Sequence, residues 1–327
     1  MTTFKKPYKP TSWLISSHFH TAYGMRYRPR SLIMGSERRE MFLFSDGGTS
    51  ALDYFEPKDA TNSPFVVLAH TLGGGTREPV INNLAEACNK KGWRVVVANG
   101  RGSSGAPITS ARLPSCLDWD DLNEIINHIR ELYHPPYIFL AGFSLGALQS
   151  MEYSTKDAAL DIDGIAAVSH TYDLLKGALV LEKPIQMRLY TPIICHQLHH
   201  ALEKSKQFFD EPAAMNSRTM REFDDVFTSK KKGFPNGIEY YKAGNIYSKI
   251  DNAKVPTLVL GADDDPFTVK DAMPIKEARA SKNVAFAHTA EGGHVSFITG
   301  NDGLHSLIDE MIPEWFQVIM DEKKKND

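Results

Sequence analysis

Gly142-Phe143-Ser144-Leu145-Gly146 follows the apolar run Tyr137-Ile138-Phe139-Leu140-Ala141 and precedes Ala147 to Tyr153. The order is a buried strand, a G-x-S-x-G turn and a helix, the context of a nucleophile elbow. Such a turn is tight, so the residues flanking the serine must be small. The serine then stands at a strand tip with its hydroxyl exposed and a helix N-terminus behind it. On this reading Ser144 is a nucleophile for hydrolysis or acyl transfer. A glycine-rich turn with a solvent-facing serine would look the same, so the rest of the chain has to decide.

Working outward, the chain alternates short apolar runs with amphipathic segments. Pro64 to Ala69, Trp93 to Ala98, Ile162 to Ser169, Val255 to Leu260 and Asn283 to Thr289 read as strands. Glu40 to Phe44 and Thr49 to Phe55 flank Asp46-Gly47-Gly48 as a hairpin. Helices are expected over about 80–91, 118–133 and 304–320, the second with Leu122, Ile125, Ile126 and Ile129 on one face. This alternation predicts an α/β fold with a mostly parallel central sheet and helices on both faces. Residues 1–40 form an irregular arm rich in Pro, Arg and His. From 171 to 236 no buried strand is legible, and this stretch is read as an α-helical cap inserted into a core of 1–170 and 237–327. It includes the histidines His196, His199 and His200.

Composition narrows the class. The chain has 327 residues, 42% hydrophobic and 24% charged, enough for a sizeable core. A net charge of −3 leaves no basic surplus for nucleic acid. Cys88, Cys116 and Cys195 share no metal-ligand spacing, and the sparse, odd count suggests a reduced compartment. Cys116 and Cys195 are nucleophile candidates by residue type, but neither sits in an elbow-like turn. Lys5, Lys6 and Lys9 are not followed by an apolar signal-peptide region, and no run is long enough to span a bilayer. The expectation is a cytoplasmic protein with no cofactor and no metal. The tail Glu322 to Asp327 reads as a solvated end, with peripheral membrane contact through its lysines as the alternative.

On open sheets that carry this elbow, nucleophile, acid and histidine follow one another along the chain. The run 255–260 ends in Gly261-Ala262-Asp263-Asp264-Asp265-Pro266-Phe267. The run 283–289 is followed by Glu291-Gly292-Gly293-His294. His294 is the expected general base, with two glycines to let its loop turn toward the sheet. The acid is read as Asp264, from the G-x-x-D offset at the strand end. Asp263 and Asp265 are read as solvated or turn-capping residues, and Asp173 as a distant alternative. The oxyanion hole is assigned to the N–H of Leu145, next to the nucleophile, and of Leu72, with Gly73 second. The glycine run Gly73-Gly74-Gly75 lacks the G-K-[ST] or G-x-G-x-x-G pattern of a phosphate loop.

Together these residues resemble the AB hydrolase 4 branch of the α/β-hydrolases, the YheT-like and embryogenesis-associated-like proteins. The resemblance runs through Arg39-Glu40, Asp46-Gly47-Gly48, His70 to Pro79, Asn99-Gly100-Arg101-Gly102 and Gly142 to Ala147. It continues through Arg221 to Asp224, Phe227-Thr228, Tyr240-Tyr241, Val255-Pro256-Thr257, Asp264 to Phe267 and Gly292-Gly293-His294. It implies an α/β-hydrolase fold, a triad at Ser144, Asp264 and His294, and activity on carboxylic esters of acyl lipids, by hydrolysis or by acyl transfer to an alcohol. The chain departs from the branch at His70-Thr71, where His-Gly is usual. It also shows no N-terminal membrane anchor of the kind several animal relatives carry. Leu179, Val180, Leu181, Ile193 and Ile194 are read as lining an acyl pocket or packing the cap onto the core. A binding protein on a catalytically dead hydrolase fold is the rival of another class, and the complete Ser-Asp-His order argues against it.

Overall fold

Eight short runs, most of them rich in apolar residues, pair into one sheet in the computed structural model. It describes Thr3, residues 6–30, 38–58 and 60–326; Lys5, Asp327 and residues 31–37 of the arm lie outside the described residues. The strands are β1 (Arg38–Leu43), β2 (Thr49–Phe55), β3 (Phe65–Ala69), β4 (Arg94–Asn99), β5 (Ile138–Phe143), β6 (Gly164–Val168), β7 (Thr257–Ala262) and β8 (Val284–Thr289). Their spatial order is β1-β2-β4-β3-β5-β6-β7-β8. Only β1 and β2 run antiparallel to their neighbours; β3 to β8 are parallel.

Strand β3 lies between β4 and β5, so the chain leaves its tip in opposite directions on the two sides. This is a topological switch point, where open α/β sheets leave a crevice beyond the carboxyl ends of the strands. The elbow follows β5 at that crevice.

The sheet residues alternate between two buried layers, as a period of two requires. Val66, Leu68, Val95, Val97, Phe139 and Ala141 face helices Pro79–Asn89 and Leu307–Asn326. Here the rings of Phe139 and Phe316 stack at 4.4 Å, both fully buried. Truncating either to alanine is expected to cost about 3–5 kcal/mol. Phe65, Val67, Val96, Ile138 and Leu140 face Leu122, Ile125, Ile126 and Ile129 of helix Trp119–Tyr133. That helix ends at His134, whose φ of 43° is left-handed and whose N–H returns to Arg130 C=O. Pro135-Pro136 cannot extend it.

Between β6 and β7 the chain is helical: Leu174–Leu181, Pro184–Leu189, Thr191–Lys204, short turns at Pro212–Met215 and from Met220 to Lys231, then Gly237–Gly244. Part of it has its own apolar cluster of Leu202, Phe209, Ala214, Phe223 and Phe227. The C-terminal helix runs to Asn326, so the tail read as a solvated end is exposed, and it is helical to that residue. The arm expected to be irregular holds helix Ser17–Ala22 and a π-turn at Tyr23–Tyr27. Among the described residues no helix is long and apolar enough to cross a membrane.

Candidate active site

Ser144 sits at φ 52°, ψ −110°, a conformation a non-glycine residue adopts only when its surroundings impose it. Those surroundings are backbone. A Cβ on Gly146 would lie 2.3 Å from Ala69 C=O oxygen, and one on Gly142 would lie 2.2 Å from Gly146 C=O oxygen. Both positions therefore demand glycine, and the spacing of the motif follows. Ser144 N–H donates to Val168 C=O at 3.0 Å and Gly146 N–H to His70 C=O at 3.1 Å. The elbow is thus tied to β6 on one side and to the loop after β3 on the other.

His294 Nε2 lies 2.9 Å from Ser144 Oγ, and His294 Nδ1 lies 2.8 Å from Asp265 Oδ2. A carboxylate only accepts, so Nδ1 carries the proton and Nε2 is free to accept from the serine hydroxyl. Imidazole and carboxylate are both buried, with side chains 3% and 2% exposed. The second oxygen of Asp265 accepts Phe267 N–H at 2.8 Å, and the Phe267 ring lies against the imidazole at 4.2 Å.

The carboxylate that meets the imidazole is therefore Asp265 and not Asp264, which the offset rule chose. Asp264, the expected partner, turns away from the ring and accepts Gly293 N–H at 2.9 Å. Burial raises its carboxyl above the ordinary range, and the Gly293 and Gly292 amides offset this only in part. Asp263 pairs with Lys270 and with His288 at 3.0 Å; burial raises its carboxyl, but these two partners hold it below the usual value. Asp173, the distant alternative, caps helix Leu174–Leu181 by accepting Lys176 N–H. The offset failed because β7 continues to Ala262, past the expected end. A local signal for Asp265 does exist. It precedes Pro266, and an aspartate before proline starts a turn whose side chain caps the amide two residues on.

The histidine loop is held by a segment that sequence reasoning left irregular. His294 N–H donates to Thr21 Oγ1 at 2.9 Å, and Thr21 donates to Ser17 C=O at 2.7 Å. Gly293 has φ 63°, and a Cβ there would lie 2.8 Å from both Ser17 O and Thr21 Oγ1. Val295 and Phe297 also have positive φ, as does Ser169, whose hydroxyl accepts Val295 N–H at 3.0 Å. Strain is thus concentrated at the loops around Ser144 and His294.

The loop after β3 is braced from below. His70 Nδ1 lies 2.6 Å from Thr71 C=O and Nε2 accepts Gly100 N–H at 2.9 Å, which fixes its tautomer. Thr71, where glycine is usual, donates its hydroxyl to Glu78. Glu78 also accepts Gly75 N–H at 3.1 Å. Among the described residues no hydrogen bond takes up the amides of Leu72 or Leu145. Gln197, from the helical segment above, packs onto Gly73: a Cβ there would meet its side chain at 2.7 Å.

Several motifs that carried the resemblance are braces. Asn99 and Asp53 hold Thr76, and Asp53 takes a bidentate pair from Arg39 at 2.6 Å. Buried Arg101 pairs with Asp46 at 2.9 Å and Asp121 at 2.8 Å. Asp224 accepts the Tyr241 hydroxyl at 2.9 Å.

Other candidates fall elsewhere. The three cysteines are buried and burial raises each thiol, Cys116 to about 12, so none is poised as a nucleophile. His170, at the end of β6, is fully buried and burial lowers it to about 3. His196 and His200 stack on one another, while His199 pairs with Ser217 at 2.9 Å. Among the described residues no three His, Cys, Asp or Glu side chains are grouped to hold a metal. Of the five apolar residues read as a pocket or packing, Val180 and Leu181 are buried, whereas Leu179 and Ile193 are exposed.

Comparison with known proteins agrees with this architecture. The chain is 29% identical over 304 residues to the Bos taurus protein named phospholipase ABHD3, covering 90% of this chain and 74% of that one. It is 30% identical to an abhydrolase domain-containing protein of Dictyostelium discoideum, over 98% of this chain and 82% of that one. The solved structure of the Pyrococcus furiosus esterase Pf2001 superposes with a TM-score of 0.60 at 14% identity, covering 90% of this chain and 97% of that chain. The family model described as alpha/beta hydrolase fold matches residues 64–301, from β3 through the acid turn and the histidine loop, and the chain belongs to that family, in the branch its motifs resemble.

Proposed function

We propose that the chain is a serine carboxylic-ester hydrolase acting on acyl esters of lipids through Ser144, His294 and Asp265. The observation that carries this reading is the continuous relay of 2.9 and 2.8 Å from a strained elbow serine through a buried imidazole to a buried carboxylate. In the first step His294 Nε2 takes the proton of Ser144 Oγ as the oxygen attacks the ester carbonyl. Asp265 keeps the ring oriented and stabilises the imidazolium. The amides of Leu145 and Leu72 hold the oxyanion of the tetrahedral intermediate. His294 then protonates the leaving alcohol, leaving an acyl-Ser144 ester. Water attacks the acyl carbonyl as it gives a proton to His294, and His294 returns that proton to Ser144 Oγ as the acid departs.

The helices between β6 and β7, including residues 171–236, act as a cap over this crevice. Tyr190 supports that placement: its ring packs on Phe267 at 4.7 Å and its hydroxyl meets His18 at 2.8 Å. A lipid ester is favoured because a relative is named as a phospholipase.

The test is a fluorophosphonate probe together with a panel of esters of graded acyl length. Labelling and hydrolysis are expected in the wild type. Ser144→Ala should lose labelling and drop kcat by about 10⁴-fold or more. Folded wild-type protein that neither labels nor turns over any ester would sink the reading.

A further inference from the structure

One cleft has no part in the steps above. It opens on Gly73, Gly74 and Gly75 of the loop after β3, has a volume of about 520 Å³, and is lined by Arg26, Arg30 and Arg77. The backbone brings these three together. In the stretch Arg26-Tyr27-Arg28-Pro29-Arg30, Arg28 alone points inward: it is buried, pairs with Asp309 and donates to Leu304 C=O at 2.9 Å. Pro29 C=O accepts Asn83 Nδ2 at 3.0 Å, and Arg30 Nη1 donates to Arg77 C=O at 3.2 Å. With Arg28 held inside, Arg26 and Arg30 remain exposed beside exposed Arg77.

Among the described residues Arg26 and Arg77 make no ion pair, and the bond from Arg30 goes to a carbonyl. Among the described residues the one carboxylate lining the cleft, Glu78, is committed to Thr71 and Gly75. Three guanidiniums thus share a cleft in a chain whose net charge is −3. Guanidinium forks match the oxygens of phosphate and carboxylate groups. Helix Pro79–Asn89 also begins at this cleft, adding the positive end of its dipole.

We propose that this cleft is a subsite for a phosphate or carboxylate group on the alcohol portion of the ester. The cleft opens on Gly73, the residue after Leu72, so an anion held there sits on the same loop as the proposed oxyanion donor. The proposal rests on the hydrolase reading and gives its substrate a charge.

The experiment compares water-soluble butanoyl esters of glycerol, of glyceric acid and of glycerol phosphate, in wild type, Arg77→Glu and the Arg26→Ala/Arg77→Ala pair. The readout is the ratio of anionic to neutral kcat/KM within each protein, so that a loss of folded enzyme cancels. A ratio of about ten or more at low salt in the wild type, falling to about one or below in the variants, is expected. A ratio near one in the wild type, or one that survives both variants, overturns the proposal. Inorganic phosphate alone is the second arm: if it inhibits while the ester ratio stays near one, the cleft holds free anion and not substrate, which also overturns it. If no ester is turned over and Ser144 does not label, the hydrolase reading fails on its own. Titration of glycerol phosphate into wild type and Arg77→Glu then judges the cleft: saturable binding lost in the variant supports it, and equal or absent binding counts against it.

Discussion

The turn at Ser144 and the turn at Asp263-Asp264-Asp265 both end a parallel strand and each presents one side chain to His294, yet different physics holds each. At the elbow, backbone meets backbone: Gly146 lies against Ala69 and His70 so closely that a single Cβ has nowhere to go. At the acid turn the fit is made by hydrogen-bond and ion-pair partners. Three carboxylates in a row are sorted by what they meet: Asp263 by Lys270 and His288, Asp264 by the Gly293 amide, Asp265 by His294. Steric exclusion writes itself into residue type, because only glycine survives it. Partner choice leaves three identical letters.

The sharpest way to break this comparison is to remove the carboxylates one at a time. Asp265→Ala should lower kcat on a soluble ester by about 10⁴-fold, because the imidazole loses both its orienting acceptor and the charge that stabilises it. Asp264→Ala leaves that hydrogen bond in place and removes only the brace on Gly293. A loss of about tenfold is expected, from a small displacement of the histidine loop. Steady-state kinetics on the two variants decides between them; a larger loss in Asp264→Ala would mean that the acid turn rearranges when substrate binds.

The elbow can be probed at the same resolution. Gly146→Ala places a methyl 2.3 Å from Ala69 O and 2.7 Å from His70 O, so the loop after β3 must move away from the elbow. Overpacking of this kind costs about 1–3 kcal/mol. The amides of Leu72 and Leu145 should then be mispositioned by a fraction of an ångström to an ångström, for about a 10²-fold fall in kcat. Thermal unfolding and kinetics measure the two effects separately. An alanine tolerated without loss in either would show that the glycine is not held by sterics.

The same contrast explains what could be read in the sequence. Strands were legible because burial on both faces leaves continuous apolar runs, and β3, β4 and β5 lie within a residue or two of their expected bounds. The close approach of Ser144 and His294 was legible because each sits near glycines that the backbone requires. Asp265 was missed by one position, because β7 outran its apolar run by two residues, Gly261 and Ala262, and moved the turn along the chain. Thr21 and Ser17 were missed for a deeper reason. They lie more than 270 residues from His294 in the chain, and nothing in a short helix marks it as the support of a distant loop. His70 and Glu78 were visible as part of a motif, but their work is to brace the loop from beneath.

The smallest expected effect follows from the electrostatics of the acid turn. Burial raises Asp264 above its unfolded value, and the glycine amides do not fully compensate. A group raised in this way favours the folded state most below the unfolded pKa and loses that contribution as pH rises through the folded one. Ionised Asp264 therefore costs stability at neutral pH. Asp264→Asn keeps an oxygen to accept from Gly293 and removes the charge. Its melting temperature relative to the wild type should rise as pH increases from 4 to 7, by a few degrees at most, because the carboxyl is only partly buried. The elbow contains no ionisable group, so Gly146→Ala should show a difference from wild type that does not change over the same range. Parallel pH series on the two variants would separate the turn held by charge from the turn held by shape.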